Sequence, residues 1–264
     1  HLSIRRQRQM CIRDRAKVEA AAASFGLIAA AAAGTVSVNR ISPTVRAYAS
    51  KSSLTVEPGE GTVTISARSQ QDAYARSDAL SISSGASMGM SSVSTTDSSN
   101  VEAGLRTDVR VSAPVLTIRA EGTDQIFQQS TASSGGLFAG IAGAYSRVSI
   151  AGQANATLGD RSHITVDTLN VSTKRDQQFD ATAFNTAVGA LAGSGAVMVV
   201  DLMGAAEVQI GKNVKAAAGD ILISARNFAD KSKYSNSANS LQSFGGGLGT
   251  VSYTHLRAHE TLMN

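Results

Sequence analysis

Few side chains in this chain could do chemistry. His163 is the single histidine between residues 16 and 250, and it sits in the turn-like run Gly159-Asp160-Arg161-Ser162-His163. A serine nucleophile needs a histidine or another base to take its proton. The many serines have only His163 to serve them, and the one cysteine, Cys11, lies near the N-terminus. A lone histidine in a polar turn reads as a solvent-facing group. Asp160, Asp167, Asp176 and Asp180 are scattered. Their spacing fits neither the nonapeptide calcium roll nor the twelve-residue calcium loop. Gly136, Gly140 and Gly143 are misspaced for a dinucleotide loop, and no ribose-binding acid follows at a fixed distance. The residues thus assign no catalytic, cofactor-binding or metal site. They describe a non-enzyme with no cofactor and no small-molecule substrate.

What positions the side chains is more informative. One short strand pattern recurs at spacings of 53, 53 and 52 residues: Val63–Ala67, Leu116–Ala120, Leu169–Thr173 and Ile221–Ala225. Ile65, Ile118, Val171 and Ile223 form one column, and Ala67, Ala120, Thr173 and Ala225 the next. Self-similarity at a long fixed period marks a stacked array. Within each copy the apolar residues alternate with polar ones, as in a half-buried strand. A glycine-rich stretch precedes each copy, at Gly26, Gly85–Gly89, Gly136–Gly140 and Gly189–Gly193, and a fifth begins at Gly245. A cofactor loop would not recur in this way, so the glycines read as close backbone packing or tight bends. A second short strand is expected around Ala47, Ala103, Ala156 and Val208. The first repeat carries three extra residues, assigned to a turn around Glu57–Gly61. After each core a polar stretch, such as Gln70–Ser77 or Asp176–Asn185, still alternates. It reads as a continuation of the strand with a wetted face.

The fold class expected is all-β, a stacked β-solenoid of the parallel β-helix kind. A single 53-residue unit cannot offset an ordering cost of about 1–2 kcal/mol per backbone residue. Stacked on a copy of itself, it finds backbone partners and side-chain ladders. Flattened coils and coils with a long hairpin arm both suit a repeat this long. The alanine-rich segment Ala20–Ala33 also admits a short helix, because alanine favours one. The apolar run Val188–Val200 is too short for the roughly 20 residues of a membrane helix.

The ends read differently. Arg5–Arg15 and Val251–Thr261 resemble translations of the two partner adapters used in sequencing libraries. Residues 1–15 are expected to be adapter-derived, disordered or artefactual, and 251–264 an adapter-derived artefactual tail. Residues 16–250 form the solenoid region, with repeats at about 26–84, 85–135, 136–188 and 189–244 and a truncated fifth. The chain carries 24 Lys+Arg and 20 Asp+Glu. The two end segments hold six of the former and two of the latter, so the region between them is neutral. Net charge therefore gives no support to binding of nucleic acid or anionic membrane. Arg40, Arg46, Arg68 and Arg76 do not recur in register and read as a solvated face. Open strand edges at both ends of the stack are expected to self-associate.

The glycine-rich stretch, the Ala47-Tyr48-Ala49 strand, Thr62–Ala67, Leu116–Ala120, Gly136–Gly143 and Asp220–Ala225 together resemble the repeat region of large bacterial exoproteins. The match is to leukotoxin-type filamentous adhesins, similar in style to filamentous haemagglutinin. The resemblance spans residues 20–250. It implies a secreted, cell-surface protein of Gram-negative bacteria, exported across the outer membrane and acting in cell adhesion and virulence as stalk and adhesive surface. Its implied partners are an unknown host-cell or matrix surface ligand and neighbouring repeats of the parent chain. Two other readings remain open. One is the passenger repeats of a large toxin or enzyme-bearing exoprotein whose active domain lies elsewhere. The other is a piece of transmembrane β-barrel, although the interior aromatics are too few for its girdles.

Overall fold

The computed structural model describes residues 5–26, 29–57, 61–231 and 240–260. Every regular element among them is a strand. The chain winds through β1 (Arg5–Ser24), β2 (Ala30–Ile41) and β3 (Thr44–Ala49). The second coil is β4 (Ser53–Thr55), β5 (Thr62–Ser83), β6 (Ala86–Asp97) and β7 (Asn100–Leu105). The third is β8 (Arg110–Gly136), β9 (Ala139–Ile150) and β10 (Gln153–Leu158), and the fourth β11 (His163–Val188), β12 (Leu191–Leu202) and β13 (Ala205–Ile210). Last come β14 (Lys215–Lys231), β15 (Leu241–Gly246) and β16 (Gly249–Glu260).

Equivalent strands stack into three parallel sheets. The long strands run β1-β5-β8-β11-β14, with β4 beside β8 and β15 beside β11. The twelve-residue strands run β2-β6-β9-β12-β16, and the six-residue ones β3-β7-β10-β13. The architecture is the all-β stacked solenoid that periodicity predicts. Ile65 lies opposite Ile118, Ile118 opposite Val171, and Val171 opposite Ile223. Ala67, Ala120, Thr173 and Ala225 are paired in the same way.

The coil is flattened. β8 has 27 residues, about 90 Å at roughly 3.3 Å per residue. Facing it across the core are β9 and then β10, with 12 and 6 residues. This decides between the two shapes that repeat length left open. The glycine-rich stretches at Gly85, Gly136 and Gly189 mark the bends where a long strand turns into the opposite wall. The extra residues of the first repeat lie between Thr55, opposite Ser112, and Thr62, opposite Val115. Pro58, Gly59 and Glu60 of that insertion lie outside the described residues.

Three sequence expectations need correction. Ala20–Ser24 and Ala30–Ala33 are strand, not helix, because pairing with β5 and β6 outweighs the alanine preference. Residues 27 and 28 are outside the described set. Residues 5–15 continue β1 in register with β5, and 251–260 continue β16 against β12. Pairing uses main-chain groups that any sequence supplies, so an edge strand can template residues 5–15, for which disorder was one of the alternatives expected. The adapter origin expected of both ends is a separate matter that strand pairing does not touch. Residues 1–4 and 261–264 are not described. The polar stretch after each strand core does extend the strand, but its inward side chains are not wetted. Ser69, Gln71, Asp124, Gln128, Ser130, Arg175 and Gln177 are all buried. On β11 the outward Gln178, Asp180 and Thr182 are buried as well.

The interior is therefore layered. One apolar cluster lies between the six-residue sheet and the first part of the long strands, around Val101, Leu116, Ile118 and Val171. A second lies farther along, around Ile126, Val148, Ile150 and Phe179. An alanine cluster that includes Ala132, Ala142 and Ala196 fills the narrow end near the bend. Between the first two sits a polar layer built on Arg175, Asp97 and Asp124. Smaller hydroxyl and amide pairs, such as Gln128 Nε2 donating to Ser146 Oγ at 2.7 Å, separate the second and third. Among the described residues no helix is long and apolar enough to cross a membrane.

Candidate functional site

Each six-residue strand ends in a tight turn that leads into the next long strand. Four successive turns place a non-glycine residue in the left-handed region: Lys51 (φ 45°), Asp108 (φ 59°), Arg161 (φ 56°) and Asn213 (φ 57°). Such a conformation is uncommon for residues with a Cβ and carries a small strain. The turns stack through main-chain bonds. Lys51 N–H donates to Thr107 O, Asp108 N–H to Asp160 O, and Arg161 N–H to Lys212 O, at 3.2, 3.0 and 2.9 Å. The result is an outward corner repeated coil after coil.

Two residues beyond each turn the long strands begin, and their register sets a second ladder. Ser53 lies opposite Arg110, Arg110 opposite His163, and His163 opposite Lys215. Neighbouring strands are about 4.8 Å apart, so Arg110, His163 and Lys215 line up along the stacking direction. All three are exposed. With the turn residues they line an open groove of about 670 Å³. Four lysines and arginines, Lys51, Arg110, Arg161 and Lys215, face it against one carboxylate, Asp108.

That carboxylate is already engaged. Arg161 donates from Nε to Asp108 Oδ1 at 2.7 Å and from Nη2 to Oδ2 at 3.0 Å. The Arg161 fork holds the Asp108 carboxyl below its usual range, and the Lys51 charge adds to the effect. His163 Nδ1 lies 3.2 Å from Arg161 O. Asp160 Oδ1 accepts from Lys212 N–H at 2.7 Å. No described carboxylate pairs with Arg110 or Lys215. Uncompensated cations converge here, although the chain between its end segments is neutral.

The residues weighed in the sequence fall in different places. His163 is exposed and lines this groove. Asp176 pairs with Lys174 on the outer face, and Asp180 is buried in the middle of β11. Among the described residues no group of three or more His, Cys, Asp or Glu side chains could hold a metal ion. Arg46 pairs with Glu102 at 2.9 Å and Arg76 with Asp78 at 2.5 Å, which fits a solvated face. Glu102 also accepts from Tyr48 Oη at 2.8 Å and Asn100 Nδ2 at 2.6 Å. Burial pushes Glu102 up, but the bonds from Tyr48, Arg46 and Asn100 win and hold it below the usual range. Burial and the Glu102 bond push the Tyr48 hydroxyl up to about 12.

The cationic ladder was missed because its members differ in type and charge was counted over the whole chain. The signal was present all the same. Extending the same spacing from the Ile118 column to Arg110 leads to His163 and then Lys215.

A second constellation lies inside. Arg175, Asp97 and Asp124 are fully buried and come from three successive coils, on β11, β6 and β8. Arg175 Nη2 donates to Asp97 Oδ2 at 3.0 Å and to Ser99 Oγ at 2.6 Å, and it also pairs with Asp124 Oδ2. Room for the guanidinium comes from two glycines. A Cβ on Gly152 would lie 1.8 Å from Arg175 Nη2, and one on Gly122 2.6 Å from Nη1. This cluster is sealed from solvent and ties coils together, whereas the corner groove is open to solvent. No protein-family profile, curated protein or solved structure matches the chain.

Proposed function

We propose that this chain is a non-enzymatic segment of a secreted, surface-displayed bacterial adhesin, serving as a stalk and as a scaffold for an adhesive face. The observation that carries this reading is the unbroken parallel register of the Ile65, Ile118, Val171 and Ile223 column. A stack in which each coil completes its neighbour's backbone pairing extends by adding coils, and so gains length without a new fold. It also turns each outward position into a ladder of like-placed side chains, which suits repeated weak contacts with a surface. The sequence resemblance to filamentous adhesins supports the same reading. The ligand is a component of a host cell or matrix surface, held by the outward ladders.

The test is attachment. Beads coated with the purified chain are expected to adhere to cultured epithelial cells or immobilised matrix well above beads coated with a non-binding protein. Soluble chain in excess should compete. Equal attachment by both kinds of bead would overturn the adhesive reading.

A further inference from the structure

We infer that the corner groove between Lys51 and Lys215 is a binding site for a linear condensed phosphate, a chain of phosphate groups laid along the stacking direction. The inference narrows the ligand of the adhesive face and rests on that reading for its biological role, though not for its chemistry.

Three features carry it. First, the cations are arranged as a line. Arg110 and Lys215 occupy one register position on either side of His163, a hydrogen-bonding ring between them, with Lys51 on the preceding coil. A single free phosphate would meet one or two of these groups and leave the rest unpaired. A chain of anions meets them all. Second, the groove is open along its length and about 670 Å³ in volume, enough for several such groups. The one lining carboxylate, Asp108, is held by the Arg161 fork, so it does not neutralise Arg110 or Lys215. Third, the lining holds no Phe, Tyr or Trp: serines and Asn213 lie beside the cations, and the His163 imidazole is its one aromatic ring. Single-stranded nucleic acid is held by bases stacked on aromatic rings as well as by its backbone. A pyranose ring has no flat apolar platform here either. What the groove offers is hydrogen-bond donors on positive charges: the ammonium groups of Lys51 and Lys215 and the guanidinium fork of Arg110. Phosphate oxygens accept from both kinds of donor. The left-handed turns that build the corner also recur in four coils, so the groove is a periodic feature.

The experiment measures binding of sodium polyphosphate to the full chain by isothermal titration calorimetry. Orthophosphate, a heparin fragment and an oligothymidylate of matched total charge serve as comparison ligands. Polyphosphate is expected to bind most tightly, by at least tenfold over each of the others, and to weaken as salt rises. The double variant Arg110→Gln/Lys215→Gln should lose at least tenfold in polyphosphate affinity with an unchanged β circular-dichroism spectrum. Arg40→Gln/Arg68→Gln, which removes two exposed cations outside the groove, should bind as the parent does. All these chains share the same N-terminal arginines, so the comparison isolates the groove. If the double variant fails to fold, Lys51→Asn removes one groove cation and keeps a residue suited to the left-handed turn. It should lose severalfold. Unchanged binding by the groove variants would overturn the assignment, as would equal binding of heparin or the oligonucleotide. Polyphosphate binding without bead attachment to cells would overturn the adhesive reading alone.

Discussion

Arg175 Nη2 lies 3.0 Å from Asp97 Oδ2, and both side chains are wholly excluded from solvent. The two residues are 78 positions apart and belong to coils separated by one intervening coil. That coil supplies Asp124, the second carboxylate on the same guanidinium nitrogen. A buried charge set of this kind is expensive to assemble and gives little net stability. What it constrains is alignment. A slip of β11 by one residue would turn Arg175 to the outer face and leave two carboxylates buried without it. The polar layer thus acts as a register pin in a stack of otherwise similar small residues, where hydrophobic pattern alone specifies alignment weakly.

The first prediction concerns that pin. Arg175→Met leaves Asp97 and Asp124 buried with no cation, and it should cost about 3–5 kcal/mol. The triple variant Arg175→Met/Asp97→Asn/Asp124→Asn removes the uncompensated charge and should recover more than half of that loss. Urea unfolding followed by circular dichroism measures both. Equal destabilisation in the single and triple variants would show that the charges do not matter.

The second concerns pH. Burial drives the Asp124 carboxyl well above its usual range; Arg175 opposes the shift and Asp97 adds to it. The folded chain thus holds this proton more tightly than the unfolded chain, whose aspartates titrate near about 3.9. The stability this gives is fully present below about pH 4 and is lost as pH rises through the folded-state value. Glu102 and Asp108 are shifted the other way, so the total profile mixes both signs. The difference between the parent and Asp124→Asn isolates one group. The urea midpoint of Asp124→Asn should gain on that of the parent as pH rises above about 4, until the folded-state carboxyl has titrated. A constant difference would refute the assignment.

Much of this molecule was legible in its spacing. Ile65, Ile118, Val171 and Ile223 gave the stacking and the register, because only apolar inward positions must repeat. The polar layer was not legible. Gln71, Asp124 and Gln177 occupy one register column, yet their types read as a solvated face. Their burial depends on the opposite wall, where β6 ends in Asp97 at the position filled by Ile41 and Ile150 in adjacent coils. No local pattern reports what stands across a core. The cationic corner was hidden for a related reason, since Arg110, His163 and Lys215 become neighbours only once coils are stacked.

A third prediction separates glycines that the stack requires from those it tolerates. A Cβ on Gly104 would sit 2.2 Å from Thr157 O, a main-chain atom of the adjacent strand. Gly104→Ala should cost about 1–3 kcal/mol through forced displacement. At Gly143 the nearest atom to a new Cβ is Met90 Cε at 3.9 Å. Gly143→Ala should be neutral or stabilise by about 0.4–1 kcal/mol, because it narrows the freedom of the unfolded chain. Thermal unfolding midpoints should move in opposite directions, or one should fall while the other holds.

The fourth prediction follows from the last rung of the main column. Val171 is completely buried, whereas Ile223, next in register, is 44% exposed, and Ile221 is 55% exposed beside it. These are inward-facing positions, and among the described residues no strand follows β14 in the sheet order to cover them. The same edge presents a row of main-chain donors and acceptors ready for a further parallel strand. Apolar side chains and open backbone groups at one edge favour end-to-end association, which continues the stack from one molecule to the next. A heterologous contact of this kind does not close on itself, so growth should be open-ended. Sedimentation velocity is expected to show species that grow with protein concentration. Ile223→Lys places a charge on the edge, on the last rung beside Val171, and should shift the distribution towards monomer. It should leave the β spectrum of the monomer unchanged. A parent chain that stays monomeric across the full concentration range would show that this edge is protected in solution.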